Sequence, residues 1–379
     1  MGLLAVCAVC WLLAFCISKS SFYKEQIEQA KSRFETIDGL RGFLALGVFG
    51  EHALSMRGLY AGGEWGAGVP EAYLRASSGA VALFFMITAF LFWGRVLKAG
   101  EGFDVRAFLA SRVRRLTPMY LASVLMVLAV AAGASGFALH APPLELFHQL
   151  RAWFSFGFIP GGELNGVRDA HAINAVYWTL AYEWLFYLAL PLAALYARGA
   201  WTLLPAALLV VFGTVAPVVY CFLFGALTAA IVQKKSLELK NLGWIAPAAL
   251  VAWFFAAPLP KLAQYALLFV FFLLVVQGWS AFGLLRTRAA KMLGLASYSL
   301  YLTHCIVLYV TVGLASHALA LGSLGAAQYW TLAGLAALAA VALSALTYRY
   351  VEFPFLRPQP APQSVPHRRA SWIRRPISG

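Results

Sequence analysis

The residues best suited to chemistry are ionisable groups set in apolar sequence: His52, Glu183 and His304. His52 ends the run Arg41-Gly42-Phe43-Leu44-Ala45-Leu46-Gly47-Val48-Phe49-Gly50-Glu51-His52. Along a helix the rise from Arg41 to His52 is roughly 16 Å, so an arginine at a membrane face carries an imidazole near the membrane interior. Glu183 lies in Trp178-Thr179-Leu180-Ala181-Tyr182-Glu183, about 10–14 Å in from the outer face by the same rise. His304 closes Ser297-Tyr298-Ser299-Leu300-Tyr301-Leu302-Thr303-His304, roughly 18 Å in from the inner face. A charge at the bilayer centre costs at least ~2.5 kcal/mol on insertion scales, so such groups are usually put to use. Three of them at similar depth imply a shared polar cavity; hydrogen bonding between helices is the plainer alternative. An imidazole titrating near neutrality suits a general base that activates a hydroxyl, or a nucleophile. Glu51 adjoins His52 but points about 100° away on a helix, so spacing alone does not make it the carboxylate that orients the ring. Asp38 is about 21 Å from His52 on a straight helix, so a direct pair does not follow from the sequence.

A second set is basic. Arg112, Arg114 and Arg115 cluster within four residues, and Arg41 falls at the same inner face. Guanidinium groups bind phosphate in bidentate fashion, and a CoA thioester offers a 3′-phosphate and a pyrophosphate. Topology and contact with lipid headgroups is the simpler role. Other chemistries lack their motifs: there is no Walker A run, no GxSxG and no glycine fingerprint for a dinucleotide. The five cysteines, Cys7, Cys10, Cys16, Cys221 and Cys305, all lie in apolar segments, so no disulfide framework is expected. Cys7 and Cys10 form a CxxC without a nearby histidine or second pair; membrane cysteines mostly pack as small apolar residues, and no metal site is expected.

The elements that must position these groups are membrane helices. The chain has 379 residues, 62% of them hydrophobic and 12% charged, and a soluble fold of that size needs a far more polar surface. Mean hydropathy is +0.76, and repeated apolar runs are long enough to cross about 30 Å of hydrocarbon. Strand-type alternation is absent, which argues against a β-barrel. A net charge of +14 would suggest nucleic acid in a soluble protein; here it reads as positive-inside topology, and no nucleic-acid partner is expected.

Residues 1–18 are apolar and followed by Lys19, Lys24, Lys31 and Arg33, which suggests an N-terminal span with its basic flank inside; a cleaved or peripheral segment is the alternative. Residues 21–36 read as an interfacial helix. Spans are predicted at 38–56, 77–97, from Thr117-Pro118 to about Ala134, and near 174–197, 200–215, 217–233, 243–258, 261–279, 292–314 and 328–350. The arginine segment 106–115 reads as an inner loop, Pro118 as a first-turn proline, and 135–172 as a long outer loop. On this map only Arg57, Arg75, Arg151, Arg168 and Lys261 lie outside, leaving 24 of the 29 Lys and Arg (29 less these five) inside or in the tail. The fold class is thus an all-α integral membrane bundle of about ten core helices plus a possible N-terminal span. Its parts are residues 1–36, a transmembrane domain over 37–356, and a basic Pro- and Arg-rich tail over 357–379 that reads as disordered.

Six blocks in order resemble the acyltransferase-3 family of membrane O-acyltransferases, over about residues 34–356. They are Ile37-Asp38-Gly39-Leu40-Arg41-Gly42 with His52; residues 82–91; the arginine-rich stretch from Phe108 to Tyr120; Trp178 to Tyr187; Leu293-Gly294 to His304; and Tyr348-Arg349-Tyr350-Val351-Glu352-Phe353-Pro354. Two positions depart from the family pattern: Ala82 stands where an Asp is common, and Thr88-Ala89 where Ser-Gly is common. The resemblance implies transfer of an acyl group, most often acetyl, from cytoplasmic acyl-CoA to a hydroxyl. The acceptor would be a cell-surface or lipid-linked glycan or another hydroxyl-bearing molecule, in a multi-pass protein of a bacterial-type inner membrane with tail and arginine loop cytoplasmic. On that resemblance Arg41, Arg112, Arg114 and Arg115 hold the donor, His52 and Glu183 are catalytic, and Glu51, Trp178, Tyr301 and His304 line the acceptor cavity. A transporter or flippase for a lipid-linked or small anionic solute is the other class that buried ionisable groups suit.

Overall fold

A computed structural model of the chain describes residues 2–29, 34–196, 216–234 and 243–356. Its regular elements are helical. The first two, α1 (Gly2–Ile17) and α2 (Ser21–Gln29), meet at a bend of 95°, so the apolar N-terminal helix turns into an amphipathic segment. Next come α3 (Glu35–Tyr60), α4 (Glu71–Ala99), α5 (Val105–Ala134), α6 (Pro143–Trp153) and α7 (Trp178–Tyr196). The remainder is α8 (Val219–Lys234), α9 (Ile245–Phe255), α10 (Lys261–Val276), α11 (Arg288–Leu295), α12 (Ser297–Ser316) and α13 (Ala326–Thr347), closed by a π-helical turn at Tyr348–Glu352.

Among the described residues four helices are each long and apolar enough to cross a membrane: Glu71–Ala99, Val105–Ala134, Ser297–Ser316 and Ala326–Leu356. Counting the bent N-terminal pair makes five. This is a helical membrane protein, with fewer unambiguous spans than the ten that hydropathy predicts. The helices Val219–Gln233, Ile245–Phe255 and Lys261–Val276 are apolar but short. The predicted span at 200–215 and the tail 357–379 lie outside the described residues. At 26 residues α3 is long enough, and Arg41, Glu51 and His52 are what lower its apolarity.

Three segments differ from the sequence reading. The arginine segment is not a loop: α5 begins at Val105, where the Asp104 carboxylate accepts from the Ala107 N–H at 2.9 Å. Pro118 therefore sits inside a 30-residue helix, where it cannot donate to the Arg114 carbonyl. The predicted 292–314 span is broken at Ala296 into α11 and α12. The predicted loop 135–172 also folds in part, as α6 and a 3-10 turn at Ala170–Asn174.

The site helices lie where two apolar clusters meet. On α3, Ile37, Leu40, Leu44 and Val48 pack into a cluster built largely from α4, α5, α7, α8 and α10. Ala45, Leu46, Phe49, Ala53 and Met56 pack into a second cluster with α1, α11 and α13. α12 divides the same way, with Tyr301, Leu302 and Cys305 in the first and Leu300, Leu308 and Val312 in the second. Both helices are consequently enclosed on opposite flanks and face each other across their remaining sides.

Glycine sets how closely they approach. A Cβ on Gly39 would stand 1.9 Å from the Leu285 carbonyl oxygen, and one on Gly294 would stand 1.8 Å from that of Asp38. The start of α3 thus docks backbone to backbone on α11 and the turn before it, which no larger residue permits. Thr36 Oγ1 adds a hydrogen bond to the Val275 carbonyl at 2.7 Å. These contacts fix the end of α3 that carries Arg41.

Candidate active site

His52 and His304 come together. His52 Nδ1 is 2.9 Å from His304 Nε2, and the rings stack at 5.2 Å with 14° between their planes. The other nitrogen of His304, Nδ1, donates to the Leu300 carbonyl at 3.1 Å, so Nε2 presents a lone pair to His52. The other nitrogen of His52, Nε2, is 3.1 Å from Glu51 Oε2. Glu51 is itself held, by Ser55 Oγ donating at 2.6 Å and Ser77 Oγ at 3.4 Å. Adjacency on the helix does not prevent the Glu51 contact, because both side chains are long enough to curl towards each other, and this decides a point the 100° step left open. All three groups are buried. The arrangement is a base with a carboxylate behind it, the positioning pattern of nucleophile and acid–base sites.

Sequence reasoning missed a fourth group. Cys305 Sγ lies 3.2 Å from His52 Nδ1 and 3.4 Å from His304 Nε2. Its position next to His304 was the available signal. Trp65, from the Gly-rich segment after α3, lies against His52 with ring centroids 5.7 Å apart, and His171 packs edge-on to Trp65 at 6.2 Å.

Glu183 is placed elsewhere. It lines a cavity with Arg41, Arg112, Arg115, Tyr187 and Tyr301, of about 850 Å³ counting its open mouth. Tyr187 donates its hydroxyl to Glu183 Oε1. Equal depth thus brought the two histidines together but put the carboxylate among the arginines. Arg112 lies 4.5 Å from the Phe92 ring centroid, and Arg115 donates to Glu352, whose other oxygen takes Ser299 Oγ at 2.8 Å. Arg41 and Arg115 also line a second cavity, of about 540 Å³, together with Asp38, Lys291 and Tyr348. Arg114 is exposed on the other side of α5, and Trp178 is 49% exposed. Tyr301 joins the two regions: it lines the arginine cavity, its hydroxyl is 3.0 Å from Thr179 Oγ1, and its ring is 6.1 Å from His304.

The architecture is that of a helical membrane protein with a buried imidazole pair and, nearby, an arginine-lined cavity. The acyltransferase-3 family model, an acyltransferase domain, matches residues 34–349, and the chain belongs to that family: it is a membrane acyltransferase. No curated relative and no solved structure matches the chain.

Proposed function

We propose that the protein moves an acyl group, acetyl in the simplest case, from cytoplasmic acyl-CoA to a hydroxyl of a cell-surface or lipid-linked glycan. The observation that carries this reading is that Tyr301, which lines the arginine cavity, packs its ring 6.1 Å from that of His304. Arg41 and Arg115 border both cavities, so CoA phosphates held near Lys291 would let the thioester enter along Arg112 and Tyr301 towards His52. Arg114, being exposed, would contribute through general charge. Glu183 would keep Arg112 and Tyr187 in place, and Trp178 would face lipid.

In this mechanism Glu51 takes the Nε2–H of His52, leaving Nδ1 as the base. His52 Nδ1 removes the proton from the acceptor hydroxyl. The oxygen attacks the thioester carbonyl carbon, the C–S bond breaks, and the CoA thiolate leaves and recovers the proton. Holding both reactants in a water-poor cavity supplies much of the rate. The protein would sit in a bacterial-type inner membrane with the arginine end of α3, the start of α5 and the basic tail in the cytoplasm, and with the shorter apolar helices completing about ten spans. Lipid, donor and hydroxyl acceptor would be its partners.

The test is CoA release from acetyl-CoA by membranes carrying the chain, with surface glycan as acceptor. Glycan-dependent release that is lost in His52→Ala, with the variant still folded, supports the reading. Solute movement without consumption of any acyl-CoA in a panel would replace it with transport.

A further inference from the structure

Three donor atoms converge between α3 and α12: His52 Nδ1, His304 Nε2 and Cys305 Sγ, all within 4.8 Å of one another and all buried. The far nitrogen of each histidine is already occupied, by the Glu51 carboxylate and by the Leu300 carbonyl. Carboxylate and carbonyl partners on the far nitrogen are what metal-ligating histidines keep, because they fix tautomer and ring orientation. With His52 in the tautomer that makes it a base, two imidazole lone pairs face each other at 2.9 Å. A thiol proton can satisfy only one of them at a time; a cation satisfies both, and the sulfur as well.

We infer that His52, His304 and Cys305 form a binding site for a thiophilic divalent cation, Zn²⁺, and that occupancy switches acyl transfer off. The second half rests on the function proposed above; the first does not. Tetrahedral Zn²⁺, with bonds of about 2.0–2.1 Å to nitrogen and about 2.3 Å to sulfur, sets ligands about 3.3 Å apart (N to N) and about 3.6 Å apart (N to S). The present separations are 2.9, 3.2 and 3.4 Å. Opening the cluster by less than about half an ångström therefore seats the ion, with a fourth position left over. Two imidazoles and a thiolate favour Zn²⁺ strongly over Mg²⁺ or Ca²⁺, which want oxygen. Charge also balances: the ion, the Cys305 thiolate and the Glu51 carboxylate sum to zero, which suits a site inside a membrane. Binding breaks the Cys305 S–H bond, releases that proton to solvent, and occupies the nitrogen that His52 needs as a base.

Detergent-purified full chain, stripped with chelator, is titrated with Co²⁺ as an optical stand-in for Zn²⁺. The expected result is one ion per chain, a thiolate-to-cobalt charge-transfer band, displacement by Zn²⁺ and indifference to excess Mg²⁺. The band disappears in Cys305→Ala and persists in a chain whose other four cysteines are replaced by alanine. Glu51→Gln weakens binding by about 10–100-fold, the usual consequence of losing an outer-shell partner. Unchanged metal-free melting shows that each variant is folded. No band, or a band that survives Cys305→Ala, overturns the site. Zn²⁺ is expected to suppress CoA release by the native chain and to spare Cys305→Ala relative to its own metal-free rate; equal suppression of both, or none of the native chain, overturns the switch. CoA release that depends on His52 in a chain that takes up no cobalt defeats this inference alone, whereas cobalt binding in a chain that consumes no acyl-CoA defeats the proposed function alone.

Discussion

Glu51→Gln separates a catalytic carboxylate from a merely structural one. In the proposed mechanism His52 becomes an imidazolium in the transition state, with Glu51 Oε2 3.1 Å from its Nε2. Taking the charge centres as about 4 Å apart, and an effective dielectric of about 20, the carboxylate stabilises that cation by about 4 kcal/mol. At about 1.4 kcal/mol per tenfold, its removal slows CoA release by about 10³-fold, within the usual range for general-base catalysis. Glutamine is nearly isosteric and can still pair with Ser55, so the melting transition should move by no more than about 1 kcal/mol. The apparent affinity for acyl-CoA should also hold, because Arg41 lies about 15 Å away along α3 and Arg112 and Arg115 are carried by α5. The assay is steady-state CoA release by detergent-purified protein over a range of acetyl-CoA, with melting measured on the same sample. A fall in kcat of less than about tenfold would refute the role of Glu51, and a rise in KM with kcat unchanged would move it to donor binding.

The other expectations concern the arginines and the packing that holds them. Arg112→Ala removes a cavity guanidinium, and at about 1.5–3 kcal/mol for hydrogen bonds to a charged group it should raise KM for acyl-CoA by about 10–150-fold; exposed Arg114→Ala should change it much less, and equal effects in a titration of initial rates would count against the cavity as donor site. Breaking the Arg115–Glu352 pair, whose carboxylate is buried and whose guanidinium is partly so, with Glu352→Gln should cost about 3 kcal/mol in a denaturation experiment, while Arg115→Met with Glu352→Leu should recover much of that stability without recovering acyl-CoA affinity. Gly294→Ala, whose methyl group would meet the Asp38 carbonyl, should lower stability by about 1–3 kcal/mol and weaken donor binding by displacing Arg41; a melting curve and KM like those of the native chain would show that α3 and α11 can part at no cost.

How far the sequence could be read follows from what a helix rise measures. Counting residues gives depth along a span and nothing about azimuth. Depth was enough to pair His52 with His304, because α3 and α12 are neighbours, yet it also grouped Glu183 with them, when α7 turns that carboxylate towards Arg112 and Tyr187. The 100° step left Glu51 open for a related reason: it fixes where Cα–Cβ bonds point, whereas the contact is made by atoms at the ends of two long side chains. The glycines of Asp38-Gly39-Leu40-Arg41-Gly42 were visible as a family pattern. Their cause was not, since Gly39 meets Leu285 and Gly294 meets Asp38 across some 250 positions of chain, as helix α3 lies down on α11. Cys305 was legible as a residue and illegible as a ligand: a cysteine in apolar sequence packs as a small side chain unless two imidazoles arrive beside it, and one of those comes from 253 residues away. The local signals thus located the groups that pay a membrane's desolvation cost, and close helix packing decided which of them share a site.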